Sequence, residues 1–209
     1  MIRSALLLAV TATTLAAQAP FEGAISMSIT GDDGKKTDIA YMIKDGKMRF
    51  DIPGGRGAMI IDPATKKSLM VMTAQKMYME QDLSGAMSQA TKGNSAKITR
   101  TGKTEMVAGY KCEHVMVTED NGTSSDVCVA TGIGAFHSSS GGGRGGPPKA
   151  EAWQGALGDG GFPLKVQKGD KVTLEVTKIE KKSLDASLFS VPEGFTKFAM
   201  PGMGRRGGG

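Results

Sequence analysis

From Phe21 to Thr30 apolar and polar residues alternate. Phe21, Ile25, Met27 and Ile29 fall on one face, and Glu22, Ser26, Ser28 and Thr30 on the other. A period of two marks a half-buried strand. Gly31-Asp32-Asp33-Gly34 reads as a turn, and Thr37–Lys44 as a second strand with Ile39, Tyr41 and Ile43 in phase. Asp45-Gly46 is a tight hairpin signal. It leads into Lys47–Ile52, where Met48, Phe50 and Ile52 point one way. Beyond a Gly-rich turn at 53–57, Ala58–Asp62, Ser68–Thr73 and Lys76–Glu80 are three further short strands. Such a run of hairpins predicts an antiparallel sheet.

The alternation fails in the middle of this meander. Met59 and Ile61 share one face, yet Ala58 and Ile60 are apolar on the other; Leu69 and Val71 are likewise opposed by Met70 and Met72. A strand that is apolar on both faces must be covered on both, by a helix, a second layer or a ligand. The following segment predicts a helix: Asp82 or Ser84 can cap it, Leu83, Ala86, Met87 and Ala90 recur at helical spacing, and Gly93 can end it. Its narrow apolar stripe suits a lid on the sheet.

Downstream, a short strand is expected near Ile98, then a hairpin of Tyr110–Thr118 and Ser124–Ala130 around Asp120-Asn121-Gly122. Pro147 and Pro148 are placed to start a short helix through Ala156 that includes Trp153. Phe162–Gln167 and Lys171–Ile179 form a last hairpin, with Val172, Leu174 and Val176 on its inner face. Ser183–Phe189 resembles one capped helical turn, and Val191-Pro192 closes the fold.

The N-terminus changes the setting. Arg3, the short apolar run Ala5–Val10 and the small residues of Thr14–Ala19 read as a secretory signal peptide over 1–19, too short to cross a bilayer as a helix. The expectation is a soluble, monomeric protein of the periplasm or exterior. Residues 20–197 would form a single domain with a flexible Gly/Ser-rich insertion around 138–149, and 198–209 a disordered Gly/Arg/Met tail. A net charge of +5 spread along the chain is too weak to suggest nucleic acid. Aromatics are only 5% of residues, so packing must lean on aliphatic side chains and the 14 methionines.

Export makes a disulfide permissible between Cys112 and Cys128, the only cysteines. If Thr118 and Gly122 close their hairpin, the two stand directly opposite each other. A redox or metal-binding thiol pair is the alternative, but there is no Cys-x-x-Cys motif.

Several segments resemble a bacterial family, domain of unknown function 4412. They are Phe21-Glu22-Gly23, Lys44-Asp45-Gly46-Lys47-Met48-Arg49, Gln75-Lys76-Met77-Tyr78-Met79, Thr101-Gly102-Lys103-Thr104, Ala108-Gly109-Tyr110-Lys111-Cys112-Glu113, Gly161-Phe162-Pro163-Leu164-Lys165, and Glu175–Ile179 with Leu184–Phe189. That family looks similar to the LolA/LolB-like periplasmic lipoprotein carriers. The resemblance implies a mainly β (α+β) chain: a curved antiparallel half-barrel, short helices covering its concave face and acyl chains held there. Cys128 stands where many members carry Trp, which implies a disulfide subtype.

Among chemistry-bearing residues, Met59, Met70, Met72, Met77, Met79 and Met87 are the most suggestive set. Flexible thioethers can line a pocket that adapts to acyl chains; ordinary core filling is the plainer reading. Met200 and Met203 raise copper, yet no Met-x-x-Met or His-rich array repeats, so no metal and no cofactor is expected. His137, Ser138 and Asp126 lack a nucleophile elbow, and Gly141–Gly146 lacks the Lys-Ser/Thr ending of a phosphate loop. The sequence therefore predicts a non-enzymatic binder or carrier of a hydrophobic small molecule or lipid. The alternatives are a structural module meeting an envelope protein partner, and a copper or redox protein.

Overall fold

The computed structural model describes residues 20–52, 54–85, 96–134, 136, 153–154, 157 and 160–198. Its strands are β1 (Gly23–Thr30), β2 (Lys36–Lys44), β3 (Lys47–Ile52), β4 (Gly57–Asp62), β5 (Lys67–Met72), β6 (Met77–Asp82), β7 (Lys97–Val107), β8 (Tyr110–Thr118), β9 (Ser124–Thr131), β10 (Gly161–Lys168), β11 (Lys171–Lys181) and β12 (Thr196–Lys197). They make one 12-stranded sheet in the order β12-β6-β5-β4-β3-β2-β1-β11-β10-β9-β8-β7. Two antiparallel meanders, β1–β6 and β7–β11, are joined where β1 pairs with β11, from Gly23↔Lys181 to Ile29↔Leu174. Local chemistry sets the hairpins. Asp45 and Gly46, at φ 51° and 73°, supply the left-handed turn that joins β2 to β3 without splaying them.

The sheet is open and strongly curved. β2 and β10 are three strand spacings apart, ~14 Å in a flat sheet. The rings of Tyr41 and Phe162 nevertheless meet at 5.9 Å, so the sheet curls toward the face that carries them. This concave face holds the main core, which includes Ile25, Met27, Ile43, Val127, Val166 and Leu174.

β4 packs on both faces, and β5 on the face that carries Val71. Met59 and Ile61 pack with the main core. On the other face Ile60 and Val71 form a second core with Leu184 and Phe189, flanked by Leu69, Leu188 and Phe195. The cover there is the C-terminal strap, residues 183–198. Its 3₁₀ helix, Ala186–Phe189, is capped by Asp185, whose carboxylate accepts from the Ser187 N–H at 2.8 Å. Its end adds β12 in parallel to β6.

Several expectations need correction. Among the described residues no complete helix covers the concave face: the one complete helical element there, the 3₁₀ helix, lies on the opposite face. The expected lid helix, from Leu83 to a stop at Gly93, lies outside the described residues from 86 onward, as do the signal peptide, the tail from residue 199 and most of 147–156. β7 is an 11-residue strand, not a short one near Ile98. Mostly exposed on both faces, it carries no alternation to read. β12 also escaped notice, because two residues joined by backbone alone leave no pattern. No helix among the described residues is long and apolar enough to cross a membrane.

Candidate functional site

Cross-strand register assembles the methionines. Tyr41 pairs with Phe50, Phe50 with Met59, Met59 with Met70 and Met70 with Met79, a row crossing β2 to β6. One step along, Met72 pairs with Met77. Directly paired residues project from the same face. Met59, Met70, Met72, Met77 and Met79 therefore form one shelf, on the concave face, and each is only half-buried. Met87 lies outside the described residues.

At its inner end the shelf runs into an aromatic cluster. Tyr41 contacts Phe50, Phe136 and Phe162 at 6.4, 6.0 and 5.9 Å between ring centroids, and Phe136 stacks on Trp153 at 5.7 Å. The Tyr41 hydroxyl donates to Met48 Sδ at 2.8 Å, which satisfies it in a buried place. The site thus grades from sealed aromatic packing at β2 to adaptable thioethers at β6. The sequence singled out the methionines but not the aromatic end. The in-phase Tyr41 and Phe50 were its only signal, because Phe136 and Trp153 arrive from a long connection without periodicity.

The other face of the same strands is firmly held, so the shelf has a rigid back. The Thr196 N–H donates to Lys76 O and the Phe198 N–H to Tyr78 O. Glu80 pairs with Lys67 at 3.2 Å and Lys197 at 3.8 Å. The Lys67 hydrogen bond, then the charge of Lys197, holds its carboxyl below its ordinary value. Leu83, just after β6, and Ala96, just before β7, both pack on the main core.

Cys112 and Cys128 form a disulfide, with Cα atoms 5.3 Å apart. They are not directly opposite as expected. Thr118 pairs with Ser124, so Cys128 faces His114 and the bridge runs diagonally. The loop is Glu119–Thr123: the Glu119 N–H donates to Thr123 O, and Asn121 Oδ1 accepts from the Thr123 N–H. This loop is two residues longer than Asp120-Asn121-Gly122 alone, which shifts the ladder by the same amount.

The disulfide, strands β1–β11 and the 3₁₀ helix of the strap fall inside one region of family similarity, residues 21–195, described as Domain of unknown function (DUF4412). The chain belongs to the DUF4412 family. No curated protein matches it. Among solved structures, one titled "Structure of PNGF-II in C2 space group" shares 16% identity at a TM-score of 0.47. That match covers 85% of the DUF4412 chain, which spans only 31% of the other protein. An uncharacterized conserved protein from Thermus thermophilus shares 10% identity at a TM-score of 0.49, covering 86% of this chain and 90% of that one. At these scores neither likeness carries an argument about activity.

Proposed function

We propose that this chain is an exported, non-enzymatic carrier, periplasmic or secreted, that binds the aliphatic part of a lipid or acyl chain on its methionine shelf, in the manner of the LolA/LolB-like group. One observation carries the reading: five half-buried methionines stand in register on the concave face of a curved sheet. Apolar surface left partly wet is stabilised when covered, by about 25 cal/mol per Å². Unbranched thioethers can re-pack around chains of differing length. A sheet backed by the strap offers such a ligand a rigid floor.

Native mass spectrometry of gently purified protein, with titration of a fluorescent fatty acid, tests this. Co-purifying lipid and saturable uptake are expected. In Met70→Lys/Met79→Lys, half-buried positions outside the main core, binding should weaken at least ~10-fold with the circular dichroism of the sheet unchanged. Lipid-free protein that takes up no fatty acid overturns the proposal.

A further inference from the structure

Three adjacent strands bring together a second set of side chains. Glu105 on β7 pairs with Cys112 on β8; His114, two residues further along β8, pairs with Cys128 on β9. All four therefore share a face. One donor atom each from Glu105, His114 and Cys128 lie within 4.8 Å of one another, and Cys112 Sγ is bonded to Cys128 Sγ. His114 Nδ1 lies 2.8 Å from Asp126 Oδ1, and Nε2 lies 3.3 Å from Glu105 Oε2. With Nδ1–H donated to Asp126, the Nε2 lone pair is left toward Glu105, the arrangement in which a carboxylate fixes the tautomer of a metal-bound histidine. Lys165 Nζ, 3.1 and 3.4 Å from the two Glu105 oxygens, holds that carboxylate in place.

In the disulfide neither sulfur has a thiolate to offer. Reduction would supply two, beside one imidazole and one carboxylate, a tetrahedral donor set suited to Zn²⁺. We propose that the reduced chain holds one borderline-soft divalent cation of the Zn²⁺ class among Cys112, Cys128, His114 and Glu105, and that forming the disulfide expels it. A dithiol reductant gives two electrons and two protons to the disulfide and becomes a disulfide itself. Cation binding then releases both thiol protons to solvent. In reverse, a disulfide-class oxidant takes the two electrons, the Cys112–Cys128 bond forms and the cation leaves. Two thiolates and Glu105 exceed the charge of the cation by one, which Lys165 offsets. The sulfurs are buried, but the His114 and Glu105 side chains are 18% and 37% exposed and open the cluster to solvent. β7 is an edge strand, paired on one side alone.

The experiment titrates Co²⁺ into the full chain before and after reduction by a phosphine, reading free thiols, the thiolate-to-cobalt charge-transfer absorption and circular dichroism. The reduced chain should bind one equivalent of Co²⁺ with that absorption and yield it to Zn²⁺, and the oxidised chain should show no such absorption. In reduced protein, His114→Ala and Glu105→Gln should weaken binding at least ~10-fold, and Asp126→Asn ~10–100-fold. Three results would each overturn the proposal: no charge-transfer band after reduction, variants that bind as the parent does (two cysteines alone), or loss of the sheet on reduction before metal is added.

Discussion

Glu22 shows how one polar residue ties distant parts of the chain together. Its Oε1 accepts from Lys44 Nζ at 2.7 Å and from the Leu184 N–H at 2.6 Å, which fastens the strap to the start of the sheet. The Lys44 hydrogen bond, then the Leu184 N–H, lowers its carboxyl from the ordinary 4.5. A depressed folded-state value adds stability above about pH 4.5, lost as pH falls through that lower value. Glu22→Gln should therefore lower the thermal midpoint at pH 7, and its deficit should shrink as pH falls below about 4.5. A constant deficit across that range would disprove the linkage. Gly57 is constrained differently: a Cβ there would lie 1.8 Å from Val71 O at φ 157°. Gly57→Ala should cost about 2–3 kcal/mol in urea unfolding. In the sequence Glu22 is merely an outward position and Gly57 part of a Gly-rich turn, because their partners lie elsewhere in the chain.

At the scale of elements, the strap and the disulfide hairpin do separate jobs. Phe189 is buried against Ile60 and Val71, and Arg49 donates to Leu188 O at 2.7 Å. Phe189→Ala should lower unfolding free energy by about 3–5 kcal/mol, measured by urea titration, as expected for a large ring removed from a packed site. The hairpin's covalent closure is expected to contribute about 3 kcal/mol, so Cys112→Ala/Cys128→Ala should unfold at lower urea with its sheet intact. Strands with alternating apolar residues, such as β1, β2 and β3, were legible because one face is dry and the other wet. β7 was not, being mostly exposed on both. The hairpin loop was misjudged because Glu119 and Thr123 extend the turn through backbone hydrogen bonds that leave no compositional mark.

For the whole molecule, the decisive join is β1 with β11, strands about 150 residues apart in the chain that pair over Gly23–Ile29 and Leu174–Lys181. It fuses two local meanders into one sheet, and the strap then closes the face that β4 and β5 would otherwise expose. A chain ending at Lys182 should self-associate through Ile60, Leu69 and Val71; a monomer in analytical ultracentrifugation would refute this. Read alone, the sequence determined most of the strands, most hairpins and the need to cover both faces of the central meander, since these follow from neighbours within a few residues. The tertiary structure alone decided which segment covers the second face, that the methionines share one shelf, and that Glu105, His114 and Asp126 gather beside the disulfide. Those outcomes depend on register and curvature, and both are set by backbone pairing and bulges between distant strands, to which side-chain patterns are blind.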